Sequence, residues 1–589
     1  MAYDFSRKSS PRLVLSKHPN PPKSYKIGEN GIVGAQAAGL HFSQPLQASG
    51  LRSQIIRPTI QKTPGSGRSR TGIPGAQCRR THLLMISRRT YALISAVALF
   101  AQALLPCTFA LSNDELTALS LTEAAAKIRS GAVTSTQLTE ACLARIAIYD
   151  PKLDAFITVM KEQALAEAKQ LDAEQKAGKL RGPLHGVPIA LKDNIDAIGA
   201  RTTAASGVFE DRVAPEDAPV VERLKAAGAV IIGKTNLQEF AMGIGESSYF
   251  GPARNPWNLA NNTGGSSSGS GAAVSADLCY GALGTDTAGS VRIPASFCSL
   301  VGLKATYGLV PIRGIAPLTV SLDHCGPLTR TVEDTALMLN VMAGYDKLDI
   351  TSVEHLKEDY LTALSQPVSG FRIGVPAYFY DHLDPEVAAS MQSALAVLAK
   401  LTKETKEIAL PSALSAGNVG GAGETWAYHE ELYKKSSQRY TPAIRRRLEA
   451  SSKATLSAAE YIRTKWSLDL LRRTVDDAFV GVDVVVVPTE RVLPPPLNDL
   501  LKAAREGGAA TTLDAIANTQ PFNVYGLPAV TIPCGFSKSG LPIGLTIAGP
   551  HFSEGKILAL AKAFEQATEW HKRKPALTPD MPVPPLIGG

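Results

Sequence analysis

Segment 264–307, GGSSSGSGAAVSADLCYGALGTDTAGSVRIPASFCSLVGLKATY, constrains the fold of this chain more than any other. It opens on a serine cluster, Ser266, Ser267 and Ser268, and reaches an isolated Ser290 after 24 further positions. A Gly/Ser linker would stay polar throughout. Here Ala272, Ala273, Val274, Ala276 and Leu278 follow as a short buried-helix pattern, and Ala282, Leu283 and Gly284 lead into Thr285 and Asp286. The segment therefore reads as tightly packed backbone that brings two hydroxyl sites back together.

Around it, apolar runs alternate with helical spacing. Strands are expected at 187–192, 229–232, 372–375, 482–487, 529–533 and 544–547. Helices are expected at 121–148 with a break at Gly131, and at 156–177, 216–227, 385–401, 457–479 and 556–570. Segment 240–262 is rich in Gly, Asn and Pro and reads as loop. The fold class that follows is α/β: a single domain with a central, mixed but mostly parallel twisted sheet covered by helices on both faces.

Four regions divide the chain. Residues 1–84 read as a disordered leader or an over-extended start, 85–110 as a signal-like hydrophobic segment, 111–575 as the globular domain that carries the function, and 576–589 as an exposed Pro-rich tail. In 85–110, Arg88 and Arg89 precede an apolar run and the small residues Thr108 and Ala110 follow it, the layout of a cleavable export signal. Export to the periplasm or medium is expected if Met85 is the true start, with a cytoplasmic location as the alternative. No stable membrane association is expected unless the segment stays uncleaved, because the run is shorter than the ~20 residues a span needs.

The net charge of +8 suggests nucleic acid only until it is divided. Residues 1–91 hold 15 Lys+Arg against 2 Asp+Glu, so the rest of the chain is mildly acidic and no nucleic-acid partner is expected. Seven cysteines without a CxxC pair argue against both a disulfide framework and a zinc site.

Chemistry is concentrated at three places with apolar surroundings: Lys192, the serine cluster and Ser290. Lys192 closes an apolar strand, where burial disfavours the ammonium and moves its pKa toward neutrality. Around Ser290 the small residues Thr287, Ala288 and Gly289 leave backbone N–H groups free to face one point, as an oxyanion hole requires. Asp286 and Arg292 flank that serine with opposite charges and are read as a structural ion pair. No histidine lies near either serine stretch, although His185 or His324 can be recruited through space. The one GxSxG match, centred on Ser267, follows NPWNLANNTG rather than a hydrophobic strand and is not read as a nucleophile elbow.

Four blocks carry a resemblance to a known family: GVPIALKDNID, the 264–307 segment, SLDHCGPLTRTVED and QPFNVYGLPAVTIPCG. Over roughly 115–575 the chain resembles the amidase signature family of serine hydrolases. The resemblance implies a Ser-cisSer-Lys triad with Ser290 as nucleophile, Ser266 as bridging serine after a cis peptide bond from Gly265, and Lys192 as base. It implies oxyanion donors at the backbone N–H groups of Thr287, Ala288, Gly289 and Ser290, support from Gly265, Ser267, Asp286 and Arg292, and neither a metal nor an organic cofactor. The implied activity is hydrolysis of a small-molecule carboxamide to carboxylate plus ammonia or amine, in a possible homodimer. The alternatives are the A-type glutaminase component of a tRNA-dependent amidotransferase and a non-catalytic amide-binding protein on the same fold. Ala288 stands where the family often has glycine, Ser268 likewise, and His324 stands where such A-type components commonly carry glutamine.

Trp426, Tyr428 and Tyr433 are read either as core or as the wall of an acyl site, with 242–257 and 418–461 expected to line the pocket.

Overall fold

Eight strands of the large sheet bury every residue, or all but the last, on both faces, which only a sheet covered on both sides allows. In the computed structural model, residues 111–587 are described except 244–246, 414–420, 455 and 507–514. All described residues fall in one compact unit. The segments expected at 1–84 and 85–110 lie outside them.

In chain order the strands are β1 (Phe156–Val159), β2 (Pro188–Lys192), β3 (Val230–Thr235), β4 (Arg254–Asn255), β5 (Asn258–Asn262), β6 (Gly281–Asp286), β7 (Val301–Lys304), β8 (His324–Thr329), β9 (Arg372–Pro376), β10 (Glu404–Ile408), β11 (Val484–Pro488), β12 (Ala529–Phe536) and β13 (Pro542–Ala548). Eleven form one sheet in the order β1-β3-β2-β6-β8-β7-β12-β13-β11-β9-β10, and β4 pairs with β5 alone. The sheet is mixed, as expected. Its parallel pairs fall in two blocks, β3-β2-β6 and β11-β9-β10, and antiparallel pairs join the rest.

Local chemistry explains most element ends. The helical pattern at 121–148 is cut at Gly131, which has φ +75°, into helices Leu121–Arg129 and Ser135–Leu153. The second helix starts on a capping box formed by Thr134 and Gln137. The helix expected at 156–177 begins only at Lys161. Before it, the FITV run pairs antiparallel with β3 as β1, because its β-branched residues suit a pleated edge better than a helix. The loop expected at 240–262 contains the β4–β5 hairpin.

Other sheet strands also escape sequence reading. β7 and β8 carry Gly, Lys, His and Pro, and β10 alternates charge on an exposed edge, so none shows an apolar run.

Helix Ser268–Ser275 is wholly buried and lies beside β2, β3 and β6. Glycine makes this possible: a Cβ on Gly269 would stand 2.3 Å from the Ala155 carbonyl oxygen and 2.4 Å from the Asn236 nitrogen. The 576–587 stretch is mostly exposed, but it is anchored. Leu577 is buried, Lys152 Nζ donates to the Met581 carbonyl (2.9 Å) and Arg505 Nη2 to that of Ile587 (2.6 Å). Among the described residues no helix is long and apolar enough to cross a membrane.

Candidate active site

Two adjacent parallel strands, β2 and β6, end side by side, with Leu191 opposite Leu283. Carboxyl ends of neighbouring parallel strands are where open α/β sheets place ligands, because the chain leaves the sheet there and opens a crevice. Lys192 closes β2, and Thr285 and Asp286 close β6.

Lys192 is fully buried. Its Nζ donates to Ser266 Oγ at 2.8 Å and to Thr285 Oγ1 at 2.7 Å, and Asn194 Nδ2 donates to the same Thr285 oxygen at 3.2 Å. Burial lowers the amine to about 7, against the opposing pull of Asp286 and Asp323. Asp193, next in sequence, points elsewhere: it accepts from the Thr203 N–H (2.9 Å) and pairs with Lys234 (3.1 Å). Among the described residues the lysine thus has no carboxylate partner at contact distance to keep it charged.

The Gly265–Ser266 peptide bond is cis. The Gln238 N–H donates to the Ser266 carbonyl at 3.2 Å. Ser267 joins the serine stretches: its N–H donates to the Ser290 carbonyl (3.3 Å), and its hydroxyl donates to the Thr285 carbonyl (3.2 Å). Ser267 is therefore a staple rather than an exposed elbow.

The turn carrying Ser290 is held by Asp286. One carboxylate oxygen accepts from the Gly289 N–H (2.8 Å), the other from the Val291 N–H (3.2 Å), and Arg292 forks onto both at 3.0 Å. Arg292 also reaches the Thr519 carbonyl (2.8 Å) and Asn523 Oδ1 (2.6 Å), and Asn523 donates to Asp286 Oδ1 (2.8 Å). Burial raises the Asp286 carboxyl, but the Arg292 guanidinium outweighs it and holds the group well below the usual carboxylate range. This is the structural pair the sequence suggested, and it corrects one expectation. The Gly289 N–H is engaged by Asp286, so of the four expected oxyanion donors it is not free.

Beside the turn lies a cavity of about 170 Å³ whose lining includes Gly265, Thr287, Ala288, Ser290, Arg447 and Glu490. Met242, Gly243 and Arg447 come from the segments expected to line it. Trp426, Tyr428 and Tyr433 do not line it; partly buried, they pack with Phe240 and Tyr440 in an apolar cluster that adjoins it through Met242 and Leu318, the core reading. A second cavity of about 230 Å³ lies behind Thr287, on the side of Asn194, Thr285 and Asp323.

His185 is tied to the Leu171 carbonyl (3.0 Å) and the Arg181 N–H (3.0 Å), and His324 to Lys304 Nζ (3.3 Å) and the Leu322 carbonyl (2.7 Å). Neither hydrogen-bonds a residue of the serine cluster or Ser290. The five described cysteines are free and buried. Sequence reading missed Thr285, Gln238 and Thr519 as neighbours of the site, since nothing in their local pattern marks them. Asn523 stood within the QPFNVYG block but without an assigned task.

A fully buried lysine hydrogen-bonded to a serine thus stands next to a small cavity lined by Gly265 and Ser290. The amidase family model matches residues 137–558, and the chain belongs to that family. It is 42% identical over 471 residues to the A component of glutamyl-tRNA(Gln) amidotransferase from Moorella thermoacetica, covering 76% of this chain and 96% of the relative. Among solved structures, it resembles the peptide amidase of Stenotrophomonas maltophilia (32% identity, TM-score 0.67, 78% of this chain and 98% of the other). It also resembles 6-aminohexanoate cyclic dimer hydrolase (30% identity, TM-score 0.71, 78% and 99%). The chain is an amide-hydrolysing enzyme.

Proposed function

We propose that the chain cleaves a carboxamide through an acyl-enzyme on Ser290, with Ser266 as relay and Lys192 as base. The observation that carries this reading is the 2.8 Å contact between Lys192 Nζ and Ser266 Oγ, made by an amine that burial has brought to about 7. A neutral Lys192 takes the Ser266 hydroxyl proton while Ser266 takes that of Ser290, and Ser290 Oγ bonds to the carbonyl carbon. The developing oxyanion is met by the N–H groups of Thr287, Ala288 and Ser290. The proton returns along the same path to the leaving nitrogen as the C–N bond breaks. Water then attacks the ester, releases the carboxylate and restores Ser290.

A second reading is favoured by the relatives' names. The glutamyl-tRNA(Gln) amidotransferase relatives from Moorella and Roseiflexus are 42% and 41% identical, against 30% and 32% for the solved cyclic dimer hydrolase and peptide amidase. Under that reading the amide is glutamine and the ammonia passes to a partner. The two readings also differ in place, since an exported enzyme would act alone.

One experiment separates them: the purified full chain is incubated with alkyl and aryl carboxamides and with glutamine, alongside Ser290→Ala. Turnover of non-glutamine amides that disappears in Ser290→Ala, with an acyl adduct on Ser290 in intact-mass spectra, is the result expected of a stand-alone amidase. Turnover of glutamine alone supports the amidotransferase reading. Turnover that persists in Ser290→Ala overturns the mechanism.

A further inference from the structure

Glu490 is a feature of the cavity that the proposed chemistry does not use. It is 4% exposed, it lines the same space as Ser290, and its Oε1 is buried with no hydrogen-bond partner. Among the described residues no ion pair joins it to a basic group. Arg447, the other charged side chain of the lining, donates through Nη1 to the Met242 carbonyl. Burial raises the Glu490 carboxyl well above its usual range, with Arg292 and Arg491 pulling the other way.

The backbone around Glu490 is held firmly. Thr489 N–H donates to the Gly544 carbonyl (3.1 Å), and the Thr489 hydroxyl bonds that of Thr546 (2.9 Å). On the other side Arg491 Nε donates to Asn518 Oδ1 (2.9 Å), and the Arg491 carbonyl accepts from the Asp384 N–H (2.8 Å). Both neighbours of Glu490 are thus bound to the body, while the carboxyl between them is presented to the cavity. A buried polar group without a partner is costly, and such a group on a rigid mount beside a reaction site is one a ligand can complete.

We propose that Glu490 reads the acyl part of the substrate, accepting N–H bonds from an amino group carried on the acyl chain. This rests on the reading of the Ser290 cavity as the amide site. The class of substrate is a small aminoacyl amide: the carboxamide lies at Ser290, a short alkyl stretch runs along Ile293 and Leu318, and the amine ends at Glu490. An arriving ammonium supplies both the missing hydrogen bonds and the counter-charge that lets the carboxyl ionise, which a neutral alkyl end cannot do.

The test compares 4-aminobutanamide with pentanamide, in which a methyl group replaces the amine, on the full-length protein and on Glu490→Gln and Glu490→Leu. The expected result is a kcat/KM ratio in favour of 4-aminobutanamide that falls at least tenfold in both variants, with the change in KM. A wild-type ratio below one, or a ratio that the variants leave unchanged, overturns the proposal. Calorimetric binding of the two probes to Ser290→Ala, with and without Glu490→Leu, decides the matter even if no amide is turned over. Tighter binding of 4-aminobutanamide that is lost with Glu490→Leu supports the Glu490 assignment although the hydrolase reading has failed. Equal or absent binding of the two probes overturns it, while Ser290-dependent turnover would still stand on its own.

Discussion

At the scale of single residues, the proposed chemistry turns on whether Lys192 carries a proton. In that proposal the base is the neutral amine, and burial lowers its pKa to about 7. The expected kcat/KM profile therefore falls about tenfold per pH unit below 7 and levels off above it. A pH–rate measurement with a flat acid limb would sink the lysine as base. Lys192→Met is expected to lower kcat by at least ~10³-fold, as loss of a triad member does elsewhere. The same burial has a stability sign. Between about 7 and 10.5 the unfolded chain holds the Lys192 proton and the folded chain does not, so stability rises with pH through that window. Below it, both states are protonated and the folded state bears the full cost. The melting temperature of Lys192→Met relative to wild type should thus improve as pH drops from 10 to 7 and change little below. Calorimetry showing no change in that difference between pH 10 and 7 would mean that the amine stays charged in the fold. The residue types were open to sequence reading here: an apolar strand ending in lysine, and two serines in small-residue company. The second partner of the amine was not, because Thr285 reaches Lys192 only when β2 and β6 lie side by side.

At the scale of elements, the Ser290 turn is shaped less by its own sequence than by what holds it from outside. Asp286 at the end of β6 and Arg292 at the start of helix Arg292–Phe297 form a pair with no exposure on either side chain. Asn523 and the Thr519 carbonyl, both more than two hundred positions away, complete its bonding. Removing one member leaves the other charge buried, which costs about 3–5 kcal/mol. Arg292→Ala should shift the denaturation midpoint accordingly and abolish turnover. Arg292→Lys should rescue neither, since an ammonium cannot reproduce the planar fork that spans both carboxylate oxygens. Urea melts in which Arg292→Lys matches wild type would show that charge alone suffices. Periodicity revealed the strands that carry an apolar run, such as β2, β3 and β11. It missed β7 and β8, whose burial is supplied by neighbours on both sides rather than by their own composition.

At the scale of the whole molecule, the sheet is buried on both faces, and the last described residues are tied to the body by a few contacts. A chain ending at Pro575 would lose the burial of Leu577 and the bonds from Lys152, Asn498 and Arg505. These contacts are mostly exposed and worth little individually, so the melting temperature should drop by about 2–4 °C with kcat on a carboxamide unchanged. A drop beyond about 10 °C would mean that the tail belongs to the core. From the sequence alone came the class of fold, the family and the positions of Lys192, Ser266 and Ser290, because apolar period, small-residue runs and motif spacing are properties of the local chain. The tertiary structure decided that the Gly289 N–H is taken by Asp286, that the aromatic residues of 426–433 are core, and that Glu490 faces the same cavity as Ser290. Those facts depend on which distant segments meet across the sheet, and spacing along a chain carries no record of such a meeting.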